Sequence, residues 1–212
     1  MASVEELLLE NKRRADAANA KFNPITGEGS IGERTVIEIP DFPIRKQWLP
    51  NSMLRTPLVR KIIKAGSIRA FLESMEGEVE DMKEARQSVI DQFTRLRCLH
   101  DFPFWAALHV YIKKKGGGED VLFRLNRPQR KLIAKYEQKR LAGKPIRLVL
   151  LKARQWGGST ATQIYMAWLQ IVHKTGLNSL IISHVKDTSV EILDMFKRMI
   201  NRYPTQILYS LG

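Results

Sequence analysis

Apolar residues in the first half of the chain recur at the three- and four-residue spacing of amphipathic helices. A long stripe of this kind predicts a helix over residues 79–99. A capping-box spacing that begins at Ser3 predicts a helix through about Ala20. Cap residues ahead of residues 57–65 and 68–75 predict two shorter helices. The long stripe consists of Val79, Met82, Ala85, Val89, Phe93 and Leu96.

Turn-forming residues and prolines separate the first helix from this helical stretch. Residues 23–32 are rich in Gly, Asn and Pro and predict a loop. Residues 34–39 alternate weakly and predict a short strand, after which three prolines keep the backbone extended. We therefore divide the first half into an N-terminal helix and extended linker, residues 1–55, and a helical region, residues 56–100.

In the second half, short apolar runs alternate with helical patterns. The runs have the length of buried strands. Repeated strand–helix units favour an α/β fold with a parallel, three-layer sheet and right-handed crossovers. An aromatic-rich helix at residues 102–114 precedes these units. Strands are expected at residues 121–126, 146–151 and 178–183, and helices at residues 128–142, 161–174 and 187–202.

A short basic turn separates the expected strand at residues 146–151 from the helix that follows. Strand, phosphate-sized turn and helix form the setting that a P-loop requires. Backbone N–H groups at a helix N-terminus lack intrahelical acceptors and carry the positive end of the helix dipole, so they attract anions. Gly157 and Gly158 would let the backbone approach a phosphate, and Ser159 falls where the P-loop hydroxyl binds Mg²⁺. The alternative is a Gly-containing turn that only caps the helix.

This turn departs from the usual pattern G-x-x-x-x-G-K-[ST]. Gly158 stands in place of the Lys, and Lys152 stands in place of the first Gly. The required cation would then come from Lys152 or Arg154. The arrangement resembles the P-loop of the large subunit of viral DNA-packaging terminases, in which the cation comes from the front of the loop and an Arg-Gln pair is common. The residues that carry the resemblance are Lys152, Ala153, Arg154, Gln155, Trp156, Gly157, Gly158, Ser159 and Thr160.

A second informative stretch, Asn126 to Gln129, lies ahead of the turn. Gln129 falls in the first turn of a predicted helix, and its amide offers both the donor and the acceptor that complement an adenine edge. Terminases and some helicases place an adenine-reading Gln upstream of the P-loop, and this stretch resembles that element. The alternative is a Gln that is present only because the residue is common in a first helical turn.

By resemblance, which covers residues 100–205 best, the chain is the N-terminal portion of a phage or prophage terminase large subunit. Such a protein hydrolyses ATP to drive double-stranded DNA into a procapsid, and its C-terminal nuclease cuts the concatemer. The resemblance implies ATP and Mg²⁺ as cofactors. It implies the terminase small subunit and the portal protein as partners, and a homo-oligomer on the portal. It gives the catalytic cations as Lys152 and Arg154, the nucleotide-binding residues as Gln129, Gln155, Trp156, Gly157, Gly158, Ser159 and Thr160, and the metal ligand as Ser159.

Charge is distributed unevenly along the chain. Residues 1–100 carry 16 basic and 15 acidic side chains, whereas residues 101–212 carry 19 basic and 7 acidic. The basic half favours a polyanionic partner, with double-stranded DNA first. Two alternatives to a terminase therefore remain, a helicase-like or recombination ATPase and a non-enzymatic basic DNA-binding module.

Several classes of protein are disfavoured by the remaining composition. A lone Cys98 argues against a disulfide scaffold, and the four histidines lack the spacing of a zinc site. No apolar run reaches the length of a membrane span. From these features we expect a soluble protein of the host cytoplasm.

An acidic residue at the end of an apolar strand, the Walker B element, is needed to complete the Mg²⁺ shell of a P-loop ATPase. After Ser159 the only acids are Asp187, Glu191 and Asp194, all within the last predicted helix. We therefore expect residues 101–212 to be the front part of an ATPase domain, one that is inactive alone.

Overall fold

The computed structural model describes residues 3–75, 81–113, 117–151, 156–173, 180, 182 and 186–203. Helices predominate, and the strands form two small antiparallel pairs. The elements are α1 (Val4–Ala20), β1 (Arg34–Glu38), β2 (Lys46–Pro50), α2 (Asn51–Leu54), α3 (Pro57–Ala65), α4 (Ile68–Glu73), α5 (Met82–His100), α6 (Phe102–His109), β3 (Tyr111–Ile112), β4 (Val121–Leu122), α7 (Arg127–Leu141), α8 (Gly158–Trp168), a π-helical turn (Leu169–His173) and α9 (Lys186–Arg202).

The first half of the chain builds one hydrophobic core, here called the N-terminal core. The hairpin β1–β2, paired from Arg34 with Pro50 to Glu38 with Lys46, packs with α2 to α5. Ser67 caps α4 by accepting a hydrogen bond from the Ala70 N–H, as the sequence predicted. The core consists of Ile37, Ile39, Phe42, Leu49, Met53, Val59, Ile62, Ile68, Phe71, Leu72, Val89, Ile90 and Phe93.

A buried ionic network fastens the hairpin to the junction of α5 and α6. Arg34 donates to both Asp101 oxygens, at 2.9 and 2.6 Å, and Arg97 donates to Asp101 and to Gln47 Oε1. Burial of Asp101 opposes ionisation, but the two guanidinium groups outweigh it and hold the pKa of this carboxyl below its ordinary value. Removal of one partner would leave an uncompensated buried charge, so the network fixes how the two halves meet.

The second half builds the C-terminal core, which is rich in aromatic side chains. Phe102 packs edge-on against Tyr165 and Trp168, and the Trp105 indole N–H donates to the Tyr203 hydroxyl at 3.0 Å. Aromatic pairs of this kind add about 1 kcal/mol each beyond area burial. The core consists of Phe22, Phe102, Trp105, Ala106, Val110, Phe123, Leu125, Leu132, Ile133, Tyr136, Ala161, Ile164, Tyr165, Ala167, Trp168, Met199 and Tyr203.

The α/β composition is confirmed, but the strands that the apolar runs predicted are largely not present in the described residues. Residues 145–151 form no strand, and Val149 and Leu151 are fully exposed. A strand exists only within a hydrogen-bonded ladder, and no described segment pairs with this one. Of the expected strand at residues 178–183 only Leu180 and Ile182 are described, both exposed and outside any strand.

Several predicted boundaries were wrong, and two of them have a local reason. The helix expected to reach Lys114 ends at His109, because Val110 adopts an extended backbone and leads into β3. The strand expected at residues 121–126 is reduced to Val121–Leu122, which pairs with β3. Among the described helices, none combines the length and the apolar character that a bilayer crossing requires.

Candidate functional site

The N-terminus of α7 is closed by its own side chains. Asn126 Oδ1 accepts a hydrogen bond from the Gln129 N–H at 3.0 Å, and Gln129 Oε1 accepts one from the Asn126 N–H at 2.9 Å. This is a complete capping box, with Pro128 in the first turn. The capping box forms because the spacing Asn-x-x-Gln at the start of the helix brings each of the two side chains to the backbone N–H of the other residue.

The N-terminus of α8, by contrast, is open. Its N-cap residue is Gly157, which has φ +76° and no side chain that could accept from the first turn. The first intrahelical bond runs from the Ala161 N–H to the Gly157 carbonyl at 3.1 Å. The N–H groups of residues 158–160 therefore have no intrahelical acceptor, and no described side chain caps them; they carry the positive end of the dipole.

The two helix N-termini are tied together through side-chain amides. Asn126 Nδ2 donates to the Trp156 carbonyl at 3.1 Å, and Gln129 Nε2 donates to the Gly157 carbonyl at 2.9 Å. A Cβ placed on Gly157 would lie 2.6 Å from Gln129 Nε2. Glycine is thus required here both for the left-handed backbone and for the approach of the Gln129 amide.

Trp156 lies over the start of α8. A Cβ on Gly158 would lie 2.3 Å from Trp156 Cζ2, so the indole ring is packed directly on this glycine. The Trp156 Nε1 atom is buried and has no hydrogen-bond partner among the described residues. Ser159 is exposed and Thr160 is half-buried, so the Ser159 hydroxyl is the more accessible of the two.

The structure thus brings together Gln129, Trp156, Gly157, Gly158 and Ser159, all of which the sequence singled out. The predicted residues Lys152, Arg154 and Gln155 lie outside the described residues. Within the described part of the chain, no group of three His, Cys, Asp or Glu side chains is arranged to hold a metal ion.

Sequence reasoning missed the contacts that pack α7 on α8 beyond the turn. The Tyr136 hydroxyl lies 2.9 Å from Thr162 Oγ1, which also donates to the Gly158 carbonyl. Further along, the Tyr165 hydroxyl donates to Glu137, which also pairs with Arg140. Burial, and then the Glu137 charge, raise the pKa of Tyr165. Tyr136 and Glu137 both lie on α7, but their partners on α8 are 26 and 28 residues away, beyond any local pattern.

Cationic side chains line the outer surface of α7. Arg127, Lys131 and Lys135 are exposed at successive turns of this helix. Arg130 instead points inward, where it packs over the Phe22 ring and donates to the Gly29 carbonyl. Burial, with smaller contributions from Arg124 and Arg127, lowers the pKa of Arg130.

Comparisons of the chain with protein-family models, with curated proteins and with solved structures each found no match.

Proposed function

We propose that this chain is the N-terminal ATPase segment of a viral terminase large subunit, the motor that uses ATP hydrolysis to package double-stranded DNA. The observation that carries the proposal is the open N-terminus of α8 behind a Gly-Gly turn. Converging N–H groups at such a terminus suit a phosphate group. The order of Gln129, turn and helix along the chain, which resembles that of terminases, also supports the proposal.

The described residues fit a triphosphate in two respects, although the Trp156 ring covers Gly158 at the start of α8. No described side chain caps the N–H groups of residues 158–160, and the exposed Ser159 hydroxyl stands at their edge. By the resemblance, Lys152 and Arg154 would neutralise the phosphates, and Ser159 or Thr160 would ligate Mg²⁺. The resemblance also gives Gln129 as an adenine contact, which would require its amide to leave the partners that it has in this structure, Asn126 and Gly157. Bound Mg-ATP would supply the phosphoanhydride bond whose hydrolysis drives translocation.

The three-layer parallel sheet is part of the same proposal. Residues 146–151 and the exposed Leu180 and Ile182 would be strands of this sheet, paired with each other or with segments outside the described residues. Apolar runs of this length are seldom left in water, because each buried Leu or Ile side chain stabilises the fold by about 2 kcal/mol.

Binding of ATP at the turn can be tested with Trp156 as the probe. Titration of Mg-ATP should change the indole fluorescence in a saturable way, and the change should vanish in Trp156→Phe. Ser159→Ala should weaken binding in the presence of Mg²⁺ but not in EDTA. Phosphate release by this chain should stay at background, because no acid after Ser159 is expected at a strand end. Absence of any saturable binding up to millimolar ATP would overturn the proposal.

The exposed cation row on α7 favours one second candidate, a DNA-binding module that does not use nucleotide. Under either function, duplex DNA affinity should fall by about 0.9 log units per log unit of salt for each phosphate neutralised. Replacement of Arg127, Lys131 and Lys135 by Gln should lower that slope. The matched control removes the same charge from α3, at Arg60, Lys61 and Lys64, which are also exposed. The two functions separate on ATP: only the motor segment binds it at the turn.

A further inference from the structure

Asn126 and Gln129 each divide their side-chain amide between two helices. The oxygen of each amide closes the N-terminus of α7, and the nitrogen of each donates to a carbonyl of the turn ahead of α8. The two acceptors, the carbonyls of Trp156 and Gly157, are adjacent along the chain. A pair of amides used in this way fixes both the distance and the orientation between the two helix N-termini.

Gln129 has little capacity left for a nucleobase. Bidentate recognition of adenine needs the amide oxygen and nitrogen of one side chain to face the base together. In this structure Gln129 is 5% exposed, its side-chain oxygen accepts from Asn126 and its side-chain nitrogen donates to Gly157. Contact with a base would require Gln129 to leave both partners, which would open the capping box and free the turn.

We propose that Asn126 and Gln129 are positioning residues, which hold the turn at residues 156–157 so that the N-terminus of α8 stays open to a phosphate group. This inference rests on the proposed function for the ligand, but its structural part does not. The Gly157 carbonyl accepts from both Gln129 Nε2 and the Ala161 N–H. Its direction, and with it the start of α8, is therefore set from α7.

The first test needs no ligand and follows hydrogen exchange of the earliest hydrogen-bonded amides of α8, from Ala161 onward. Asn126→Ser keeps a cap oxygen for α7 but removes the donor to Trp156. Gln129→Glu keeps the acceptor for the Asn126 N–H but removes the donor to Gly157. Each should speed exchange about fivefold or more at the start of α8, as expected for the loss of one hydrogen bond.

Tyr136→Phe is the matched control for this test. It removes another hydrogen bond between α7 and α8, the one to Thr162, but does not touch the turn. Exchange at Ala161 should stay within about twofold of the wild-type rate in this variant. Equal acceleration in all three variants, or none in Asn126→Ser and Gln129→Glu, would overturn the positioning role.

The second test separates positioning from base reading with three ligands: Mg-ATP, Mg-GTP and tripolyphosphate, which has no base. Neutral variants are used so that no charge is added near the anion. Asn126→Ser and Gln129→Met should weaken all three ligands by a similar factor, about fivefold or more, and leave the ratio of ATP to GTP affinity unchanged. If Gln129 reads adenine, Gln129→Met would weaken ATP alone and leave tripolyphosphate unaffected, which would overturn the inference.

The two tests also distinguish failure of this inference from failure of the proposed function. If the wild-type chain binds neither ATP nor tripolyphosphate, the assignment of the open α8 terminus to phosphate is wrong. If it binds both and the variants lose nothing, the phosphate site stands and the role of Asn126 and Gln129 in it is wrong. If exchange is accelerated in the variants but the wild-type chain binds no ligand, Asn126 and Gln129 only fix the packing of α7 on α8. Their proposed role in keeping a phosphate site open would then be wrong.

Discussion

The N-termini of α7 and α8 lie side by side, but they differ in how they are capped. At α7, Asn126 and Gln129 satisfy the terminal N–H groups from within the helix's own sequence. At α8, Gly157 provides no side chain, and no other side chain in the described part of the chain caps the first turn. A cap contributes about 1 kcal/mol to a helix, so the open terminus costs stability that the neighbouring terminus does not lose. Such a cost is expected where a ligand is meant to take the place of the cap.

The difference also shows which terminus depends on the other. The capping box of α7 is local, since its two residues are three positions apart. The start of α8 is set from outside, through amides that come from α7 and reach 28 to 30 residues along the chain. Disturbance of the α7 cap should therefore be felt at the start of α8.

The largest expected effect comes from a side chain at Gly157. Gly157→Ala would force a left-handed backbone on a residue with a Cβ, at about 1 to 2 kcal/mol. The Cβ would also displace the Gln129 amide, at about 1 kcal/mol more for the lost hydrogen bond. We expect the free energy of unfolding to fall by about 2 to 3 kcal/mol, measured from urea midpoints at constant slope.

Gly66→Ala provides the control for this substitution. Gly66 has φ +82°, close to that of Gly157, but a Cβ there would meet nothing within 4 Å. The free energy of unfolding of Gly66→Ala should fall only by the cost of the left-handed backbone, about 1 to 2 kcal/mol. Equal losses at the two glycines would mean that the contact of Gly157 with Gln129 contributes nothing to stability.

The second effect lies at the other end of α8, where the π-helical turn ends at His173. Burial, and then the nearby Arg140 charge, lower the pKa of His173 to about 4 from the ordinary 6.5; Glu137 opposes them and His100 adds to them. Between pH 6.5 and 4 the unfolded chain therefore binds more protons, so stability is fully present above pH 6.5 and is lost as the pH falls through this window. Allowing for partial solvent access, we expect a loss of about 1 to 2 kcal/mol.

Comparison with His173→Gln checks this pH dependence, because the variant removes the titrating ring. Urea midpoints measured from pH 7 to pH 4 should fall less steeply in the variant than in the wild type. His100 and His109 also have pKa values lowered by burial, so a residual slope is expected. Identical slopes in the two proteins would mean that His173 is not held neutral by the fold.

Local sequence patterns predicted most of the helices correctly but failed for the strands, and the two outcomes have different physical reasons. The capping box at Ser3, the Gly66-Ser67 boundary and the Asn126-Arg127-Pro128-Gln129 start are all formed by residues a few positions apart. Strands depend on partners that the local sequence does not contain. Residues 146–151 have the apolar character of a buried strand, yet no described segment completes a ladder with them.

The site shows the same division. The sequence placed Gly157, Gly158 and Ser159 in a turn ahead of a helix expected from residue 161, and the structure begins this helix earlier, at Gly158. The capping box of Asn126 and Gln129 could also have been predicted, because its two residues are three positions apart, but the sequence analysis did not predict it. The adenine contact expected of Gln129 stays a prediction. The bonds from these amides to residues 156 and 157 were beyond local reasoning, because they depend on how α7 packs on α8.

The third effect concerns the closed terminus. Asn126→Ala removes both the cap oxygen of α7 and the donor to Trp156, and we expect it to lower the free energy of unfolding by about 1 to 2 kcal/mol. Asn126→Asp keeps the cap oxygen and places a negative charge at a helix N-terminus, so it should lose less than half as much. Urea denaturation of both variants measures the difference. Equal losses would show that the capping contact contributes little to this terminus.

The smallest effect concerns the open terminus and has opposite signs for stability and for binding. Ser159→Asp places a carboxylate in the uncapped first turn of α8, where it should stabilise the helix by about 0.3 to 1 kcal/mol at low salt. The same carboxylate occupies the anion site and repels an incoming phosphate, so tripolyphosphate affinity should fall. Ser159→Asn is the neutral control and should change stability by no more than about 0.3 kcal/mol. Thermal unfolding at low and high salt tests the predicted gain in stability, because this gain should shrink as salt screens the helix dipole. A loss of stability in Ser159→Asp would mean that the first-turn N–H groups of α8 are already satisfied.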